Sequence, residues 1–98
     1  MLIEFRNRQI EKVCTNATAA RKKYGVDVAR RIEQRLGEIS ASDTVEMMIH
    51  FHIGRCHALT GNRQGQYAVD LGHPLRMVFT KEGNAVQVAT IEEIVDYH

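Results

Sequence analysis

Apolar residues recur at helical spacing in the first part of the chain and at alternate positions in the second. A helix is predicted over residues 26–41, where the inward-facing positions repeat at intervals of four, four and three. Those positions are Val28, Ile32, Leu36 and Ile39. Two shorter helices are predicted before it, one over 8–14 and one running up to Tyr24, which Thr15 or Asn16 can cap.

A short segment after the long helix carries the apolar residues of a further buried element. Ser42-Asp43 can cap residues 44–51 at their N-terminal end. Four apolar side chains of this segment are expected in the core. They are Val45, Met47, Met48 and Phe51.

The second half of the chain has the period of two that is typical of β-strands. Strands are predicted over 55–60, 66–71, 75–81 and 85–98, with turns between them, and a short strand is predicted at 2–6. The last strand has apolar residues on both faces, so we expect it deep inside a sheet. Helices followed by hairpin-linked strands predict an α+β domain, with the N-terminal helices packed on one face of a mainly antiparallel sheet.

The strand over 75–81 places a positive charge on the face away from the helices. Leu75, Met77 and Phe79 would face the core, so the side chain of Arg76 would emerge on the uncovered face. A guanidinium in the middle of an open sheet face is a binding group for anions.

Length and composition restrict the class of protein. The 98 residues suffice for one domain with a single core, so residues 1–98 are treated as one unit. The apolar content of 44% and the charged content of 26% argue against a disordered chain or a membrane protein. The segment 1–6 lacks the features of a signal peptide, so a cytoplasmic location is expected. Cys14 and Cys56 suggest no disulfide framework, and reduced, buried thiols are predicted.

The net charge of +1 conceals an uneven distribution of charge along the chain. Up to Ala41 there are nine Lys and Arg residues against five acids, and beyond it there are four against seven. A polyanion could dock on the basic part, although a solvated helix face gives the same pattern. The basic residues concerned are Lys22, Lys23, Arg30, Arg31 and Arg35.

Histidines and cysteines that are close in sequence raise the question of a metal site or a thiol nucleophile. His50 and His52, like the pair Cys56 and His57, match no closed zinc pattern, because no second cysteine pair is present. Neither cysteine lies in a recognisable signature of a nucleophilic thiol. The sequence therefore predicts neither a metal nor a cofactor.

The closing residues Asp96, Tyr97 and His98 bring proton-handling groups to the end of a strand. Together with His57 and Arg76 they have the chemistry for cleaving RNA without a metal. One group takes the proton of a ribose 2′-hydroxyl, a cation stabilises the charge that develops on phosphorus, and another group protonates the leaving 5′-oxygen. The alternative is a terminal histidine with no role.

Several stretches of the sequence are similar to one known family. Residues 57–66 contain a Gly-Asn-Arg-x-Gly turn, residues 68–71 and 73–79 follow it, and residues 93–98 close the chain. Through these motifs the chain resembles the HigB toxins of the RelE superfamily over essentially its whole length. The resemblance implies a microbial RNase-like α+β fold and cleavage of messenger RNA in the ribosomal A site.

The resemblance also implies roles for individual residues. It assigns His57 and His98 to proton transfer, and Arg76 to the scissile phosphate. It assigns Asp96 and Tyr97 to positioning the RNA and the catalytic groups.

Partners follow from the same resemblance: the 70S ribosome with its messenger RNA, a HigA-type helix-turn-helix antitoxin, operator DNA only through the antitoxin complex, and no membrane. Arg63 and the basic residues of the first half would contact RNA phosphates. Some family members carry a lysine where this chain has Thr60, and a proline where it has Ala58, so more of the cationic role would fall on Arg76, with Arg63 as a second candidate. The alternatives are a weak or inactive RelE-like binding module that acts through its antitoxin, and a gyrase-directed toxin like the related ParE proteins.

Overall fold

The computed structural model describes residues 1–96, in which helices cover one face of a five-stranded sheet. Four helices lie in this part of the chain: α1 (Arg8–Thr15), α2 (Ala17–Tyr24), α3 (Val26–Ala41) and α4 (Val45–His50). The strands are β1 (Leu2–Phe5), β2 (His57–Ala58), β3 (Gln66–Asp70), β4 (Leu75–Glu82) and β5 (Val88–Asp96). Single 3₁₀ turns lie at Ile53–Arg55 and Gly61–Arg63.

The sheet has the strand order β1-β5-β4-β3-β2. β1 runs parallel to β5, and the other three neighbouring pairs are antiparallel. β5 therefore lies inside the sheet, between β1 and β4. These features confirm the predicted α+β class, the mainly antiparallel sheet and the interior position of the last strand.

The main core lies between the helices and one face of the sheet. Met77 and Phe79 of β4 contribute to it from the sheet, and Ile32 and Ile39 from α3. All four side chains are almost completely buried. A second, smaller cluster lies apart from this core. It consists of Leu59, Ala68 and Val78, with Val95 packed against it.

The helix ends follow simple capping chemistry. The side chain of Asn7 accepts the N–H of Ile10 at 3.0 Å, and that of Asn16 accepts the N–H of Ala19 at 3.1 Å. Asn16 is therefore the cap of α2, as one of the two predicted candidates. Gly25 separates α2 from α3 with a φ of 89°, a conformation that favours glycine.

The predicted cap of α4 at Ser42-Asp43 is wrong. The hydroxyl of Thr44 accepts the N–H of Met47 at 3.2 Å, so Thr44 is the N-cap. The hydroxyl of Ser42 instead donates to the carbonyl of Glu38 at 2.8 Å, at the end of α3. Ser42 therefore ends one helix and does not begin the next.

Two of the four core residues predicted around α4 are exposed. Val45 and Met48 are fully buried, whereas Met47 is 41% exposed and Phe51 is 63% exposed. Residues three apart share a helix face, so a helix of six residues turns one such pair inward and leaves the intervening side chains outside.

Several predicted boundaries and one predicted burial also change. β2 begins at His57 and not at residue 55, because the φ of Arg55 is 57°, which an extended strand cannot contain. β5 begins at Val88, and it is described up to residue 96. β3 ends one residue earlier than predicted, at Asp70. Cys56 is buried, but Cys14 is partly exposed.

Among residues 1–96, no helix combines the length and the apolarity that crossing a lipid bilayer requires.

Candidate active site

His57 and Arg76 meet on the sheet face that the helices leave uncovered. Arg76 pairs with Asp70 of β3 and with Val95 of β5, and His57 pairs with Ala68. Directly paired residues share a face, and Arg76 alternates with residues of the main core, so this group faces away from the helices. Nε2 of His57 lies 3.2 Å from Nη1 of Arg76. The structure thus brings together two of the predicted catalytic side chains.

The contacts of both ring nitrogens fit one tautomer of His57. A guanidinium has only donors, so Nε2 of the imidazole accepts. Nδ1 then carries the ring hydrogen and donates to the carbonyl of Arg55 at 2.9 Å. In this tautomer the lone pair on Nε2 is directed at the guanidinium. An anion that draws the guanidinium away leaves this lone pair able to accept a proton.

Asp70 connects the residues of the site. Its Oδ1 lies 3.9 Å from Nε of Arg76, and its Oδ2 lies 3.3 Å from Nε of Arg55. Its backbone carbonyl accepts Nε–H of Arg35 at 2.7 Å. Sequence reasoning assigned no role to Asp70. The sequence signal that could have identified it is that Asp70 and Arg76 lie at equal distances on either side of the 72–74 turn.

Two adjoining clefts contain these groups. The larger has a volume of about 420 Å³, and the smaller has a volume of about 160 Å³. Arg55, Asp70 and Arg76 line both clefts. The larger also includes His52, Cys56 and His57, and the smaller includes His73, Pro74 and Leu75.

The rim of the larger cleft has an unusual backbone. His52 and Arg55 have φ values of 54° and 57°, and Gly54 between them has a φ of 59°. Left-handed backbone is uncommon for residues other than glycine and is concentrated at functional sites. Sequence reasoning missed both His52 and Arg55 as cleft residues, because neither residue type signals this conformation.

The thiol next to His57 is buried, which disfavours the thiolate form that a nucleophile needs. Burial raises the pKa of Cys56 to about 12, so its sulfur stays protonated at neutral pH. Within the described part of the chain, no group of three or more His, Cys, Asp or Glu side chains is placed to hold a metal ion.

Arg63 lies in an ion pair on the same sheet face as Arg76. Its Nη2 donates to Oε1 of Glu93 at 2.8 Å, and its Nη1 donates to Oε1 of Gln66 at 3.1 Å. Glu93 pairs with Val78, which places it on this face. The negative charge of Glu93 is therefore balanced by Arg63.

The basic residues of the helices divide into two groups. Arg35 is half-buried, and its Nη1 donates to Glu38 at 2.9 Å. A Cβ added at Gly54 would lie 2.8 Å from Cδ of Arg35, so this side chain packs directly against the cleft rim. Arg35 therefore connects α3 to the cleft. The remaining members are exposed to solvent: Lys22, Lys23, Arg30 and Arg31.

The predicted residues at the end of the chain are only partly described. Asp96 is exposed and pairs with Leu75, so the strand alternation places it on the other face from Arg76. Tyr97 and His98 lie outside the described residues.

The fold matches solved toxin structures along the whole chain. A YoeB/ParE toxin from Agrobacterium tumefaciens superposes with a TM-score of 0.68 at 10% identity, and the match covers 100% of both chains. The YoeB-YefM complex from Staphylococcus aureus gives 0.65 at 22% identity, covering 100% of this chain and 98% of that one. The YoeB dimer from the same organism gives 0.64 at 21% identity, covering 100% and 97%. No family model and no curated protein matches the sequence. The chain therefore has the fold of YoeB/ParE-type toxins.

Proposed function

We propose that this chain is the toxin of a type II toxin-antitoxin module, and that it is an endoribonuclease of the HigB kind that cleaves messenger RNA in the ribosomal A site. The observation that carries the proposal is the 3.2 Å contact between Nε2 of His57 and the guanidinium of Arg76, on the uncovered face of a YoeB/ParE-type fold. A base and a phosphate-binding cation in contact are two of the three groups that RNA cleavage by 2′-hydroxyl attack requires.

The proposed reaction uses side chains as acid and base. The scissile phosphate binds Arg76 and draws its guanidinium from His57, and Nε2 of His57 then takes the proton of the 2′-hydroxyl. O2′ attacks phosphorus, the bond to the 5′-oxygen breaks, and His98 protonates that oxygen. The products are a 2′,3′-cyclic phosphate and a 5′-hydroxyl. Tyr97 positions the RNA and the catalytic groups, and Asp96, which lies on the other sheet face from Arg76, has no direct part in this reaction.

The ribosome supplies the substrate geometry in this proposal. The exposed basic residues of α2 and α3 would contact ribosomal RNA through phosphates, and these contacts would weaken with salt. They are Lys22, Lys23, Arg30 and Arg31. Arg63 and Arg35 were predicted for the same role, but both already bind carboxylates of the protein. A smaller share of the RNA contact therefore falls to them.

We propose a cytoplasmic antitoxin as the protein partner of this chain. The support is that a structural neighbour, YoeB of Staphylococcus aureus, was solved in complex with YefM. For this chain we propose a HigA-type helix-turn-helix protein, through which the pair would bind operator DNA.

A translating extract programmed with a defined message tests the proposal. Added protein should cut the message inside codons at the A site and leave 5′-hydroxyl ends, whereas the same message without ribosomes should stay intact. The Arg76→Ala variant should leave the message whole. An intact message with normal translation would contradict the proposal in favour of an inactive binding module, and an intact message with inhibited gyrase would favour a ParE-like activity.

A further inference from the structure

We propose that Arg55 forms a second phosphate subsite, which binds the phosphodiester next to the one held by Arg76 in a single-stranded RNA. The inference rests on the proposed function and extends it, because it concerns how the same site holds its substrate. The observation behind it is a single carboxylate, that of Asp70, shared between two guanidiniums at the junction of two clefts.

The position of the Arg55 side chain fits an anion subsite. The side chain is 84% exposed, and its Nε lies 3.3 Å from Oδ2 of Asp70. A guanidinium carries five N–H donors in a fixed fork, so an exposed one retains donors for a phosphate after it has met a carboxylate. Arg76 reaches the other oxygen of the same carboxylate at 3.9 Å. Asp70 therefore sets the separation of the two cations.

The clefts give a strand a path past both cations. Arg55, Asp70 and Arg76 line the larger cleft that contains His57 and also the smaller one that contains His73. Because the two clefts share these three residues, they adjoin at Arg55 and Arg76. Neighbouring phosphates of one strand would thus meet Arg76 and Arg55 in turn.

The backbone of Arg55 links this subsite to the base. The carbonyl of Arg55 accepts Nδ1–H of His57 at 2.9 Å, so the residue that presents the second cation also orients the imidazole. A side-chain substitution at residue 55 keeps this carbonyl. Since the φ of Arg55 is 57°, alanine and lysine at this position meet the same backbone requirement as arginine does. The substitution Arg55→Ala therefore removes the guanidinium and its ion pair with Asp70 but keeps the carbonyl that orients His57.

The test compares RNA ligands that differ by one phosphodiester. Uncleavable 2′-O-methyl dinucleotides and trinucleotides without terminal phosphates carry one and two phosphodiesters, and NMR titration of the full chain measures their affinities. The wild-type protein should bind the trinucleotide about tenfold more tightly than the dinucleotide, as one charge-assisted hydrogen-bonded contact predicts. Arg55→Ala should lose this gain, so that the dinucleotide and the trinucleotide bind this variant with about equal affinity. Arg55→Lys should keep part of the gain.

The matched control is Arg8→Ala. Arg8 is an exposed arginine on α1, beside β1, at the opposite edge of the sheet from β2. This variant should keep the full gain of the wild-type protein. Thermal unfolding of each variant checks that it is folded.

The outcomes separate this subsite from the proposed function. If the wild-type protein shows no gain from the second phosphodiester, or if Arg55→Ala keeps the gain, the subsite is refuted even where the wild-type protein cuts message in a translating extract. If Arg55→Ala loses the gain but the wild-type protein cuts no message, the subsite is supported and the nuclease proposal fails alone.

Discussion

A double-mutant cycle on His57 and Arg76 tests whether the two side chains act as one unit. Loss of a general base costs a factor of about 10²–10⁴ in rate, and loss of a donor to the transition-state charge costs about 10²–10³. If the residues acted independently, the double variant would be slower by about 10⁴–10⁷, the product of the two factors. The 3.2 Å contact predicts instead that His57→Ala with Arg76→Ala is about as slow as the slower single variant.

The structure indicates that these variants stay folded. Arg76→Ala removes the 3.2 Å contact with His57 and the 3.9 Å contact with Asp70, whose carboxylate keeps Arg55 at 3.3 Å. A partly exposed ion pair of this kind contributes at most about 1 kcal/mol to the free energy of unfolding. The assay is single-turnover cleavage of a message on programmed ribosomes, with thermal unfolding as the control for folding. Losses that multiply in the double variant would refute a shared role.

Three further predictions concern stability and reactivity. Gln87 is only 2% exposed, and its Oε1 accepts the N–H of buried Val45 at 2.8 Å, so Gln87→Leu should lower the free energy of unfolding by about 1–3 kcal/mol in thermal denaturation. An unchanged Tm would contradict that reading. Burial raises the pKa of Cys56 to about 12, so this thiol stays protonated at pH 8. A thiol reagent should therefore label it only on unfolding, and rapid labelling of the native protein would show the prediction to be wrong. The hydrogen bond from Gln87 lowers the pKa of Glu46, so its stabilisation is present above the ordinary glutamate pKa and is lost as the pH falls through the lowered value. Glu46→Gln should flatten the acid side of the stability profile slightly, and an unaltered profile would contradict this.

The amphipathic period predicts the fold well where an element is long. The apolar positions of α3 from Val28 to Ile39 span three helical turns. All four apolar side chains lie in the core or pack against it, as the spacing predicts. α4 has six residues, which is less than two turns. Over such a length the apolar pattern does not distinguish the buried Met48 from the exposed Met47. Short elements therefore take their orientation from tertiary packing.

The candidate site shows the same division between local and long-range information. Strand alternation places Arg76 on the uncovered face, and the motifs single out His57, so their meeting was predictable. Asp70 and Arg55 carry ordinary surface charges, and their ion pair joins residues 15 positions apart through the turns of the sheet. The backbone of Arg55 is left-handed although the residue is not a glycine, so the sequence does not indicate this conformation. The roles of Asp70 and Arg55 in the site therefore became visible only in the three-dimensional structure.

Mapping the 5′ ends of transcripts in cells that express the chain alone tests the central claim most directly. The proposed function predicts new 5′ ends inside translated regions, in phase with codons, and predicts their disappearance in cells that express His57→Ala at the same level. Intact messages during growth arrest, or the same ends in the His57→Ala cells, would contradict cleavage of messenger RNA by this site.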